Sequence, residues 1–138
     1  MKLSAKVLSP PAAEESVLEL ESLLPGDTPA EYVAFLRQHD GAEFCFTDID
    51  WSRDGFDSLR LFSAREMLRT LRSDSCARAL PSVLIIGTDS GGQCLAYDMR
   101  NRGQWPLVVY CPGCAHDIAY IHVAGSLSEV LTRYATNA

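Results

Sequence analysis

The stretch Thr28-Pro-Ala-Glu-Tyr-Val-Ala-Phe-Leu-Arg-Gln-His-Asp-Gly41 carries both ends of a helix within one short segment. Thr28 can cap it, Pro29 suits the first turn, and Glu31 stands where a capping box returns the bond to the cap. Tyr32, Phe35 and Leu36 make the apolar stripe, and Gly41 supplies a left-handed stop. The same Ser/Thr-x-x-Glu box recurs at Ser63…Glu66, before Met67, Leu68 and Leu71. It recurs again at Ser126…Glu129, before Val130, Leu131 and Tyr134. A fourth helix is expected over residues 12–24, where Val17, Leu20 and Leu24 share one face and Glu14, Glu15, Glu19 and Glu21 turn mostly outward.

Strand patterns fill the gaps. Phe44 and Phe46 alternate with Glu43, Cys45 and Thr47; Leu59 and Leu61 alternate with Ser58 and Arg60. Val83-Leu-Ile-Ile86 is a continuous apolar run and reads as a central strand buried on both faces. Asp89-Ser90-Gly91-Gly92 reads as a tight turn into the strand Gln93–Asp98. Leu107–Tyr110 and Ile118–Val123 bring the total to about six strands. The strands cluster instead of alternating with helices. That order predicts an α+β fold with a mostly antiparallel, twisted sheet, two N-terminal helices, one central helix and one C-terminal helix.

At 138 residues the chain suits a single domain spanning 1–138. Residues 1–11, ending in Ser9-Pro10-Pro11, are expected to be a flexible N-terminus. A chain of this length buries enough surface to need neither disulfide nor metal. Five cysteines, an odd count, fit reduced thiols better than a disulfide framework. Met1-Lys-Leu-Ser-Ala-Lys-Val-Leu8 has no long apolar block, so no secretory signal is expected and a cytoplasmic address follows by default. No apolar run approaches the ~20 residues of a membrane span.

The net charge of −6 is unevenly placed: residues 1–57 hold 12 acidic side chains against 4 basic, residues 58–138 hold 6 against 8. An acidic first half argues against nucleic acid as a ligand, which needs a basic face. It suits either a basic protein partner or simple solubility.

Few residues point to chemistry. Asp89-Ser90-Gly91-Gly92 is similar to the nucleophile loop of trypsin-like serine proteases. Such a serine needs a histidine base, a buried aspartate and a double barrel. The chain is too short for two barrels, and His39, His116 and His122 lie in no partner context. The turn reading prevails. Cys111-Pro-Gly-Cys114 with His116 and His122 is the candidate metal set, since two thiolates and two imidazoles can bind zinc tetrahedrally. A lone Cys-x-x-Cys lacks the second spaced pair of a structural site, and Pro-Gly also makes a strand-connecting turn. Structural thiols, with no cofactor, are the expectation; zinc is the alternative. Asp48-Ile-Asp50-Trp51-Ser-Arg-Asp54-Gly55 departs from a calcium loop, because Leu59 stands where the twelfth-position glutamate belongs. It reads as a polar loop between strands. Trp51 fits either an exposed interface anchor or a lid over its own core. No pair of carboxylates and no Ser/His/Asp set has spacing that demands acid–base or nucleophilic work, so no catalytic residue is assigned.

Thr28-Pro29-Ala30-Glu31-Tyr32-x-x-Phe35-Leu36-x-x-x-Asp40-Gly41 resembles the Leu-Pro-x-x-Tyr-x-x-Phe-Leu…Asn-Gly signature of the SUKH superfamily, the Smi/Knr-type domain. Leu18-Glu-Leu-Glu-Ser-Leu-Leu24 is similar to that family's first helix. Leu59-Arg-Leu-Phe-Ser63 with Glu66 is similar to its strand leading into a short helix. Ile86-Gly-Thr-Asp89, Gly91-Gly92, Leu95 and Tyr97-Asp98 are similar to its central hairpin. Thr28 stands where Leu is usual and Asp40 where Asn is usual, and the Cys111–His116 stretch has no counterpart in the family pattern. The resemblance implies a binding domain and not an enzyme. Bacterial members are mostly immunity proteins that neutralise a cognate polymorphic toxin, often a nuclease; eukaryotic relatives are regulatory scaffolds. On that basis Glu43, Asp48, Asp50 and Asp54, with Trp51 as anchor, are the expected contacts to a basic toxin surface. A regulatory scaffold and a small zinc enzyme built on Cys111, Cys114, His116 and His122 are the alternatives.

Overall fold

The computed structural model describes residues 2–47, 57–72, 82–100, 103–110 and 120–136. Along these the chain runs β1 (Lys2–Leu8), α1 (Glu14–Leu23), α2 (Ala30–Gln38), β2 (Ala42–Thr47), β3 (Ser58–Leu61) and α3 (Ala64–Leu71). It continues β4 (Val83–Thr88), β5 (Cys94–Asp98), β6 (Leu107–Tyr110), β7 (Tyr120–Ala124) and α4 (Leu127–Thr136). The seven strands lie in one sheet in chain order, and every neighbouring pair is antiparallel. The α+β class is as the periodicities predict, and so is the order of helices and strands after β1.

The seventh strand is β1, in the stretch expected to be a flexible N-terminus. It pairs with β2 from Lys2↔Thr47 to Leu8↔Ala42, with a bulge between Leu3 and Ala5. Val7 and Leu8 are exposed, and only Leu3 packs against the core. This strand is therefore held by its backbone ladder to β2 more than by burial. The last helix, α4, touches both edge strands, β1 and β7, so the sheet curls around the helical layer.

Alternation decides which side of each strand meets the helices. Phe44, Phe46, Leu59, Leu61, Leu84, Ile86, Leu95, Tyr97, Leu107 and Val109 face inward and join Val17, Leu20, Tyr32, Phe35, Leu36, Met67, Leu127 and Val130 in one core. Val83, Ala96 and Val108 point the other way and form a second buried cluster, flanked by Ile85 and Tyr110. The central strand β4 is thus covered on both faces, as its continuous apolar run implies. Tyr97 is fully buried and packs edge-on against Tyr32, with ring centroids 6.0 Å apart. Burial pushes the hydroxyl pKa of both tyrosines upward, so both stay neutral; the Tyr97 hydroxyl donates to Glu31 Oε1 at 3.5 Å, while the buried Tyr32 hydroxyl has no hydrogen-bond partner among the described residues.

The three expected capping boxes have three different outcomes. Ser63 and Glu66 form the complete box: Glu66 N donates to Ser63 Oγ at 3.1 Å, and Ser63 N donates to Glu66 Oε1 at 3.1 Å. Ser126 accepts from Glu129 N at 3.2 Å, but Glu129 reaches one residue further and accepts from Gly125 N at 2.6 Å. Thr28 does not cap α2; its hydroxyl donates to Pro25 O at 2.7 Å, and Pro29 occupies the cap position. Glu31 is then free to serve another helix, as described below. Gly41 sits three residues beyond the end of α2, not in its last turn, and has φ +95° where the chain turns into β2. Ser63→Ala should cost about 1 kcal/mol, the usual loss of an N-cap. Urea unfolding with an unchanged slope and a lower midpoint would show it; an unshifted midpoint would mean that Asp40, which accepts from Ala64 N at 2.7 Å, caps α3 unaided.

The acidic face of α1 is less negative than its composition suggests. Arg37 from α2 bonds Glu14 and Glu21, and Arg72 beyond α3 pairs with Glu19. Two neighbouring helices therefore neutralise three of the four glutamates.

Candidate functional site

Three connections leave the same end of the sheet. Cys45 pairs with Ser58 at the end of β2 and start of β3, Thr88 with Cys94 at the β4–β5 turn, and Tyr110 with Tyr120 at the end of β6 and start of β7. The cross-pairs Arg60↔Thr88 and Cys94↔Tyr110 bring these three points into one row. Of the candidate residues of the sequence reading, Glu43 stands on β2 and His122 on β7, and the others fall in sequence between β2 and β3 or between β6 and β7.

The β4–β5 turn is built from its own polar groups. Asp89 Oδ1 accepts from Gly91 N at 2.8 Å and from Gln93 N at 2.9 Å, closing an Asx turn. Thr88 Oγ1 donates to Gln93 O at 3.1 Å. Ser90 Oγ donates to Asp57 Oδ2 at 2.5 Å, tying this turn to the residue that leads into β3. That bond holds the Asp57 carboxyl below the usual carboxylate range. A nucleophilic serine needs an imidazole to take its proton. Ser90 instead donates to a carboxylate inside a turn, which is a structural role. Burial, with Asp89 nearby, pushes the Cys94 thiol pKa upward, which keeps the sulfur protonated and poorly nucleophilic.

Next to this turn, on the outer face of the sheet, lies an open cleft of about 260 Å³ bordered by Glu43, Cys45, Ser58, Arg60, Thr88 and Ser90. Arg60 is held on one side of it: its guanidinium bonds Glu66 Oε2 at 2.5 Å and lies 5.0 Å from the centroid of the Phe62 ring. Glu43 is exposed and stands across from Arg60 on β3 and Val7 on β1. The cleft is wide and shallow, with two acidic groups, Glu43 and Asp89, and one basic group, Arg60, on its border. Such a surface can seat side chains of another macromolecule; it does not enclose a small ligand.

Of the expected partner contacts, Glu43 is therefore at this cleft, while Asp48, Asp50, Trp51 and Asp54 lie outside the described residues. Of the candidate metal set, Cys111, Cys114 and His116 also lie outside them. His122 is exposed on β7, opposite Val108. Among the described residues no group of three or more His, Cys, Asp and Glu side chains could hold a metal ion. Among the same residues no helix is long and apolar enough to cross a membrane.

Sequence reasoning missed one feature. Arg65, Arg69 and Arg72 form a single stripe on the outer side of α3, facing Ser16 and Glu19 of α1 across a groove of about 470 Å³. The spacing i, i+4, i+7 was visible in the chain; which of these arginines lacked a partner was not.

Among the described residues an open, polar sheet face lies beside an interlocked set of turns, on a domain of the α+β class. The sequence profile of the SMI1 / KNR4 family (SUKH-1) matches residues 11–133, and the chain belongs to that family. No curated protein matches it.

Proposed function

We propose that this domain is an immunity protein, one that binds a cognate polymorphic toxin and blocks it by covering its working surface. Membership of the SMI1 / KNR4 family over residues 11–133 carries the reading. The open cleft at the hairpin end and the excess of acidic residues in the first half support it. In this reading Glu43, Asp48, Asp50 and Asp54 meet a basic toxin surface, and Trp51 fills a pocket on it as the anchor. Complementary charge would speed encounter and set register, while the aromatic anchor would supply most of the affinity. The same fold could serve a regulatory scaffold, and the test separates the two.

Co-expression with the toxin module encoded beside this chain should restore growth and yield a stoichiometric complex. A stable complex without rescue would indicate the scaffold role; neither complex nor rescue would overturn the proposal. Within that complex, Trp51→Ala and Asp50→Lys should each weaken binding at least tenfold by titration calorimetry, the loss expected of an interface hot spot. Unchanged affinity would remove both residues from the contact surface.

A further inference from the structure

Seven arginines fall within the described residues, and five are engaged. Arg37 bonds Glu14 and Glu21, Arg60 bonds Glu66, Arg72 pairs with Glu19, Arg100 holds Asp98, and Arg133 donates to Val123 O. Arg65 and Arg69 have no hydrogen bond or ion pair among the described residues. In a chain of net charge −6, two neighbouring guanidiniums without a partner among the described residues are a departure. They sit one helical turn apart, beside the α1–α3 groove. Its floor is Leu68, which belongs to the core, and its far wall carries Ser16 and Glu19.

We propose that this groove docks an acidic segment of a protein partner, through two carboxylates that pair with Arg65 and Arg69. The spacing supports a peptide. Residues i and i+4 of a helix are about 6 Å apart along the axis. Alternate residues of an extended strand are separated by about 6.6 Å. Acidic side chains at positions i and i+2 of an extended segment therefore reach both guanidiniums. Each guanidinium can grip its carboxylate with two parallel N–H donors, and an apolar residue of the segment can cover Leu68. The charge around the groove disfavours nucleic acid. A strand of phosphates carries a charge about every 3.4 Å and needs a broad basic face. Here the two cations, unpartnered among the described residues, are bordered by the acidic Glu19 on α1. This surface lies on the helical side of the sheet, away from the outer-face cleft, and the inference does not rest on the toxin reading.

The probe is a fluorescein-labelled peptide with glutamate at alternate positions and leucine or serine between them. Its anisotropy is measured with the full chain at low salt. Binding is expected, with a marked loss between 50 and 200 mM salt (on the order of tenfold), since exposed charge pairs are screened over about 10 Å. Arg65→Glu/Arg69→Glu should weaken it at least tenfold, while Arg133→Gln should leave it unchanged. All the arginines concerned are exposed, so an unaltered thermal melt will show that each variant folds. No binding of the peptide overturns the proposal. So does binding that survives the double substitution, or equal binding of a single-stranded oligonucleotide of the same charge. Growth rescue by the same variants scores the immunity reading separately.

Discussion

Alanine at Gly41 should lower the stability of the fold by about 3 kcal/mol, enough to drop the melting temperature by roughly 10 °C. Two causes act together. The backbone there has φ +95°, a conformation that costs an L-residue about 1–2 kcal/mol. A Cβ would also come 2.7 Å from Leu61 O and 3.3 Å from Ser63 N, both main-chain atoms of the β3–α3 link. A flexible side chain could move aside; this backbone cannot, because Ser63 caps α3 and Asp40 binds Ala64 N. Gly92 separates the two causes. Its φ is +86°, yet nothing lies within 4 Å of a Cβ built on it, so Gly92→Ala should show the conformational cost alone. Equal losses at the two sites, measured by urea unfolding, would mean that the close approach at Gly41 contributes nothing.

The same region shows why some of this molecule is legible in its sequence and some is not. β2 alternates Phe44 and Phe46 with polar residues because one face is sealed and the other is wet, so a period of two is written into the chain. α3 is legible for the parallel reason, with Met67 and Leu68 buried under a stripe of arginines. β1 has no such mark. Its exposed Val7 and Leu8 and its lone core contact at Leu3 give no alternation of burial, and its ladder to β2 depends on a partner about forty residues away. β5 misleads in the opposite sense. Ala96 and Asp98 alternate with Leu95 and Tyr97 as if facing water, yet both are buried. Ala96 enters the second apolar cluster, and Asp98 is bridged by the Arg100 guanidinium, which holds its carboxyl below the usual range. The site divides along the same line. Glu43 and the hairpin turn could be placed from local pattern. The free pair Arg65 and Arg69 emerges only once the partners of every other described arginine are known.

Glu31→Ala should be as damaging as the loss of Gly41, again about 3 kcal/mol, through contacts that no local pattern discloses. Spacing assigns Glu31 to its own helix. In the fold it crosses to α4: Oε1 accepts from Leu127 N at 2.5 Å and Oε2 from Ser128 Oγ at 3.1 Å, 96 and 97 residues along the chain. A carboxylate against the amides of a helix N-terminus satisfies donors that have no partner inside the helix, a contribution of about 1 kcal/mol, and its charge opposes the helix dipole. The Tyr97 hydroxyl also points at Oε1, at 3.5 Å, from a ring that is fully buried. Removing Glu31 leaves that phenol without its acceptor, a further cost of about 1–3 kcal/mol. One side chain on α2 thus holds α4 and β5 together, and α4 in turn touches both edges of the sheet. Two comparisons isolate these parts. Glu31→Gln keeps an acceptor of the same shape and should recover most of the loss, leaving the charge–dipole share of about 0.3–1 kcal/mol. In the background of Tyr97→Phe, where no hydroxyl remains to be stranded, Glu31→Ala should cost about 1 kcal/mol less than in the parent. Strict additivity of those two substitutions would show that Tyr97 and Glu31 act independently, and the brace would then reduce to an N-cap on α4.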